Sequence, residues 1–219
     1  MLDSLVHRGP DDSGEYTDPH IALGQRRLSI IDLDGGRQPL FNEDRSVVLI
    51  CNGEIYNYKN LRQGLETKGH QFRTKSDCEV IIHLYEEHGP RCVEKLRGMF
   101  AFVIWDSKAR ELFVARDHFG QKPFYYSEAK GSFAFASEIK GLLAFDDGLA
   151  EINFQALDQY LALRVIPSPN SMFAGIHKLP PAHWLSYSTS GGLRIQRYWQ
   201  PDFEPKHMES EDEILEELD

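Results

Sequence analysis

Two strongly apolar runs, residues 99–105 and 111–116, are separated only by Asp106-Ser107-Lys108-Ala109-Arg110, and so short a link permits one kind of pairing. A parallel pair needs a crossover of roughly a dozen residues, so these two strands must run antiparallel. Further strand patterns lie at 21–31, 46–51, 124–127, 132–136, 184–187 and 193–198. Most are joined by similarly short, turn-rich segments such as Thr189-Ser190-Gly191-Gly192. Helical spacing is found at 58–68 (Leu61, Leu65), 77–88 (Val80, Ile81, Leu84, Tyr85) and 154–163 (Leu157, Tyr160, Leu161), with a short helix expected at 90–96. Strands grouped in meanders and helices grouped apart define an α+β class: two antiparallel sheets face to face, or one sheet covered by helices.

The chain has 219 residues, 41% of them hydrophobic and 26% charged, enough for one sizeable core or one domain and the beginning of another. No apolar run approaches the roughly 20 residues of a membrane helix. Met1-Leu2-Asp3-Ser4-Leu5 has neither the basic flank nor the apolar stretch of a secretion signal, and no membrane partner is expected. Cys51, Cys78 and Cys92 show no close pair spacing and read as free thiols of a reducing cytoplasm. The formal net charge is −10, but residues 209–219 supply seven of the negative charges, which leaves −3 for the remainder. A nearly neutral body without a basic stripe argues against nucleic acid. His83 and His88 sit about 140° apart around a helix, so they cannot share a metal and no metal site is expected.

The stretch Cys51-Asn52-Gly53-Glu54-Ile55-Tyr56-Asn57-Tyr58 follows the strand-like run Val47-Val48-Leu49-Ile50-Cys51. By local chemistry Asn52-Gly53 reads as a tight turn, because both residues tolerate positive φ. Other segments give the stretch a different context: His7-Arg8-Gly9-Pro10-Asp11, Arg27-Leu28-Ser29-Ile30-Ile31-Asp32, Ser76-Asp77-Cys78-Glu79 and Arg116-Asp117-His118-Phe119-Gly120-Gln121-Lys122-Pro123. In this order and spacing they resemble the glutaminase domain of glutamine-hydrolysing asparagine synthetases, class II glutamine amidotransferases of the N-terminal-nucleophile hydrolase type. The likeness continues through Ala136-Ser137-Glu138-Ile139-Lys140, Ile166-Pro167-Ser168-Pro169 and Lys178-Leu179-Pro180-Pro181, and covers residues 1–199.

That resemblance implies a four-layer α/β/β/α sandwich of two antiparallel sheets, here without its first strand. It also implies free glutamine as the ligand. Arg27 would take the glutamine carboxylate as a bidentate fork, and Ile30 would line the same site. Asp77, helped by Glu54, would hold the ammonium. Asn52 through its side-chain amide and Gly53 through its backbone N–H would form an oxyanion hole, donors worth roughly 2.7–4 kcal/mol each in comparable hydrolases. Arg8 would help hold the chain terminus that carries the nucleophile.

Taken singly, these residues have plainer readings. Arg27 and Arg26 could be surface arginines, Asp77 a helix N-cap, Arg8 a salt-bridged loop residue, and Gly120 and Pro123 turn-makers. The family's nucleophile is an N-terminal cysteine activated by its own α-amino group, whose reference pKa is roughly 7.7–8.0. Here Met1 is followed by Leu2. An internal cysteine has no free amine, so this chain is expected to bind glutamine poorly and not to hydrolyse it.

At the other end, Ser210-Glu211-Asp212-Glu213 is a capping box ahead of Ile214, Leu215 and Leu218. Residues 200–219 are therefore expected to be a linker and the first helix of a covalently linked synthetase domain. In the resembling enzymes that domain binds ATP and Mg2+; within this chain no cofactor is expected. Ser190-Gly191-Gly192 mimics the start of its ATP loop, but Leu193-Arg194-Ile195 follows, and the segment reads as a hairpin turn. Two alternatives stay open: a glutaminase domain serving a different acceptor, and a non-catalytic glutamine-binding or assembly module. The resemblance also leaves a homodimer open.

Overall fold

The computed structural model describes residues 1–27, 36–129, 131–204 and 210–218. Its centre is a six-stranded antiparallel sheet built on β4 (Val47–Ile55), β5 (Gly98–Asp106) and β6 (Glu111–Arg116). β3 (Leu40–Phe41) flanks β4 at one edge. β10 (His183–Ser188) and β11 (Gly192–Arg197) extend the sheet beyond β6. β5 and β6 pair from Ala101↔Arg116 to Asp106↔Glu111, the arrangement their short link requires.

Both faces of this sheet are covered, which explains why its central strands are nearly continuous apolar runs. On one face Leu49, Cys51 and Ile55 of β4 and Phe100, Phe102 and Ile104 of β5 pack against α1 (Tyr58–Thr67) and α2 (Glu79–His88). On the other, Val48, Ile50, Val103, Trp105 and Val114 meet two smaller sheets. One is the hairpin of β1 (Asp12–Thr17) and β2 (Ala22–Arg27); the other has the order β8-β7-β9, from Ser132–Ala136, Tyr125–Ala129 and His177–Lys178. The strand period sorts β8: Phe133 and Phe135 face the inner core, Ala134 and Ala136 face Leu142 of α3 (Ile139–Leu143) in a third cluster.

Several expectations need correction. The strand does not end at Asn52-Gly53; β4 continues through both residues and pairs with β5 as far as Ile55↔Gly98. The long antiparallel ladder outweighs the local turn preference of Asn-Gly. The reversal comes instead at Asn57, whose Nδ2 donates to Lys95 O (2.9 Å) and whose Oδ1 accepts from Arg97 N–H (3.0 Å). Among the described residues the strands form three sheets rather than two, because none of them joins β2 to β8. Residues 90–96 form a 3-10 helix at Gly89–Lys95, where Pro90 sits in the first turn. The apolar stripe of α4 (Phe154–Leu163) is not a core face: only Ala156 is buried, while Tyr160 and Leu161 are exposed.

β1 has half-buried alternation without an apolar run and carried no strand signal. Residues 28–31 of the strand expected at 21–31, and residues 205–209 within the expected linker and helix at 200–219, lie outside the described residues. α5 (Glu211–Leu218) opens with the expected box: Ser210 N–H and Oγ both meet Glu213 Oε2 at 2.8 Å. Among the described residues no helix is long and apolar enough to cross a membrane.

Candidate active site

Side chains alternate along β4, so Asn52 and Glu54 share the face of Val48 and Ile50, away from the helices. A pocket of about 480 Å³ opens there. It is lined by Arg8, Arg27, Asn52, Gly53, Glu54 and Asp77, together with Gln25, Gln38, Lys122 and Glu138. Ile30 lies outside the described residues.

The motif around Arg8 fixes the backbone of Arg27. A side chain on Gly9 would come within 2.7 Å of Arg26 O, so only glycine lets the segment cross β2 this closely. Pro10 then bridges Arg27 in parallel, and Asp11 N–H donates to Arg27 O at 3.1 Å. Arg8 Nε stands 3.4 Å from Glu138 Oε1, which also meets His7 Nε2 at 3.0 Å. Lys140 Nζ lies 3.2 Å from the other oxygen. Partial burial works against ionisation of Glu138, but its hydrogen bonds with His7 and Lys140 prevail and hold its pKa below the ordinary carboxylate value.

Asp77 is 4% exposed, and its Oδ2 accepts the Ile55 N–H at 2.7 Å. It does not cap α2, whose N-cap is Cys78 with no side-chain cap bond. The connection before α2 is held instead by buried Glu79, which accepts from Arg73 N–H (2.7 Å) and Thr74 N–H (2.8 Å). Gly53 has a packing reason as well as a chemical one. A β-carbon there would collide with Met99 O and stand 2.6 Å from Phe100 Cα on the neighbouring strand.

Two glutamines that drew no attention in the sequence complete the β4 edge. β3 pairs with β4 only at Val48 and Leu49. Beyond it, the Gln38 amide takes the place of a strand: Oε1 accepts Cys51 N–H (2.6 Å) and Nε2 donates to Cys51 O (3.0 Å). Gln25 Nε2 donates to the same oxygen at 2.8 Å. Only the spatial partner makes such glutamines legible, since nothing in their local sequence marks them.

The segment Arg116–Pro123 is mainly a corner. Arg116 donates to Lys122 O (2.7 Å), Leu179 O (2.6 Å) and Gly120 O (2.7 Å). Fully buried Asp117 accepts from Phe119 N–H (3.1 Å) and Gln121 N–H (2.9 Å) with one oxygen, and from Phe100 N–H (3.2 Å) and Lys122 N–H (3.0 Å) with the other. Gly120 has φ 65°, the left-handed turn a glycine favours. Of this motif, Lys122 reaches the pocket wall.

All three cysteines are buried, Cys51 and Cys92 in the helix-side core. The Cys78 thiol is pushed up by its hydrogen bond with Cys51 and by burial, and the Cys92 thiol by burial. Neither is poised as a thiolate.

A second cavity of about 620 Å³ adjoins the first. Its floor is the inner face of the large sheet, with Ile50, Ala101, Val103 and Trp105, and its walls are β2 and β8, each with an edge unpaired among the described strands. Arg8, Gln25, Cys51 and Asn52 border both spaces.

The sequence profile described as "Glutamine amidotransferase domain" matches residues 1–199. The chain belongs to this family. Within it, the amidotransferase domain is similar to asparagine synthetases. It is 41% identical to "Asparagine synthetase [glutamine-hydrolyzing] 1" of Bacillus subtilis (strain 168), over 100% of this chain and 34% of that protein. It is 43% identical to "Asparagine synthetase [glutamine-hydrolyzing] 3" of the same organism, over 98% and 35%. The chain thus spans about a third of the length of these relatives. Among solved structures, the glutamine phosphoribosylpyrophosphate amidotransferase of B. subtilis matches with a TM-score of 0.56 and 22% identity, over 82% of this chain and 35% of that one. At that identity the likeness speaks for the fold: an N-terminal-nucleophile-hydrolase-like arrangement of antiparallel sheets and helices.

Proposed function

We propose that this amidotransferase domain binds free glutamine in the pocket at the end of β4 and belongs to an asparagine synthetase. There glutamine hydrolysis would supply ammonia for the ATP-dependent amidation of aspartate by a covalently linked synthetase domain. One observation carries the reading: Arg27, Asn52, Gly53, Glu54 and Asp77, from three separate parts of the chain, line a single pocket containing charges of both signs. A zwitterion with one amide to be broken needs that combination. Arg27 takes its carboxylate, Asp77 and Glu54 its ammonium, and Asn52 with the Gly53 N–H the developing oxyanion.

The nucleophile of that hydrolysis would be an N-terminal cysteine, which none of the three buried internal cysteines replaces. The adjoining cleft supports this part of the proposal, since an apolar floor between two open strand edges has the shape of a seat for one extended segment. A segment seated there completes the inner sheet, and its terminus can reach the shared border at Arg8 and Asn52. The test uses two chains. The 219-residue protein incubated with glutamine is expected to release neither glutamate nor ammonia. A version extended upstream to an N-terminal cysteine is expected to release both, with loss on Arg27→Ala. Turnover by the shorter protein that is abolished by Cys51→Ala would overturn the assignment.

A further inference from the structure

On the helix side of the molecule, away from the glutamine pocket, four ligand-type side chains from three segments converge. Glu43 lies between β3 and β4, His70 between α1 and α2, and His83 and Glu86 follow one another at i, i+3 on α2. One ligand atom from each lies within 4.8 Å of all the others. His83 Nδ1 is 3.0 Å from Glu86 Oε2 and 3.8 Å from Glu43 Oε2. His70 Nδ1 is 3.7 Å from Glu86 Oε2 and 3.7 Å from Glu43 Oε1. In a tetrahedral zinc site with bonds of about 2.1 Å, ligand atoms stand about 3.4 Å apart. The four imidazole–carboxylate contacts run from 3.0 to 3.8 Å, those to Glu43 through its two different oxygens, so binding draws the group together by up to about 1 Å.

The surroundings orient the ligands. His70 Nε2 meets Glu87 Oε1 at 3.1 Å, and Glu87 is in turn paired with Lys68. A proton held on Nε2 by that carboxylate leaves the Nδ1 lone pair turned toward the cluster, as in carboxylate–histidine–metal arrangements. Glu86 Oε1 accepts from Asn42 Nδ2 at 2.8 Å, and Glu43 Oε1 accepts from Gln71 N–H at 3.0 Å. His83 is fully buried, and its Nε2 has no hydrogen-bond partner among the described residues. The ring's polar contacts therefore run through Nδ1, into the cluster. The salt bridges of Glu43 and Glu86 among the described residues are to these two imidazoles. With neutral histidines the four groups carry two negative charges, the complement of a divalent cation.

We infer that Glu43, His70, His83 and Glu86 form a closed, structural site for a tetrahedral divalent metal ion of the zinc type. All four ligands come from the protein, so the site has no open position for chemistry. Its effect is mechanical: it clips the connection that carries Ser76 and Asp77 to α2 and to the turn before β4. The pair His83 and His88, considered from the sequence, is the wrong pair. The partner of His83 on its own helix is Glu86, and the other two ligands are brought in by the fold.

The test is metal binding by the purified 219-residue chain after chelator treatment. One equivalent of Zn2+ is expected to bind in competition with a chromophoric chelator, raising Tm until the protein is saturated. Co2+ is expected to give the intense visible bands of tetrahedral coordination. His70→Ala and Glu86→Gln should each weaken Zn2+ binding about tenfold or more while leaving the circular dichroism unchanged. Glu86→Gln retains the acceptor for Asn42, so it remains informative if His70→Ala fails to fold. The absence of stoichiometric uptake, an octahedral Co2+ spectrum, or undiminished binding in a folded variant, which would point to the cysteines, would each overturn the assignment.

Discussion

Replacing Asp77 by Asn keeps an acceptor for the Ile55 N–H, now bonded at 2.7 Å, while removing the charge offered to the pocket. The variant is expected to unfold within about 1 kcal/mol of the parent, yet to bind glutamine at least tenfold more weakly, about 1.4 kcal/mol. Isothermal titration of the upstream-extended protein checks this. Arg27→Lys should lower affinity by a similar factor, because an ammonium cannot reproduce a two-pronged contact with a carboxylate. Glu138 gives a pH prediction. Its folded pKa is depressed, so its contribution is present above the unfolded value of 4.5 and is lost as pH falls through the folded value. The stability gap between the parent and Glu138→Gln should therefore be largest above pH 4.5 and close in more acidic buffer, as denaturant titrations across that range would show.

Among the elements, β4 and β5 have the least tolerance for change. Gly53→Ala pushes a methyl into the Met99 carbonyl and should cost about 1–3 kcal/mol by overpacking, read as a lower midpoint in urea. Asp117→Ala leaves four backbone donors without their buried acceptor and should cost at least about 3 kcal/mol. Periodicity and link length made these strands and α2 legible, because buried runs such as Phe100, Phe102 and Ile104 follow directly from the two-residue repeat. It could not show that β4 runs through Asn52 and Gly53. Local turn preference and a long cross-strand ladder compete there, and only the ladder's partner, residues 98–101, decides the outcome. Arg27, Asn52 and Asp77 were named through family likeness, whereas Gln38 and Glu43 act through neighbours remote in the chain and left no local mark.

At the scale of the whole molecule, two apolar surfaces are left uncovered by the described residues: the cleft between β2 and β8, and the α4 face with Phe154 77% and Leu161 73% exposed. Open strand edges and apolar patches favour contact between copies, while a net charge of −10 opposes it. Sedimentation velocity on the 219-residue chain is expected to show self-association that grows as added salt screens the repulsion, and that declines in a version extended upstream to an N-terminal cysteine if the added residues fill the cleft. Gln38 has a consequence on the same scale. Because the Gln38 carboxamide, with Gln25 sharing the carbonyl, rather than another length of main chain, satisfies Cys51, the ladder among the described residues stops at Leu49 and leaves the doorway beside Asn52 clear. A molecule the size of a free amino acid has room there, where a neighbouring strand would otherwise have closed the wall.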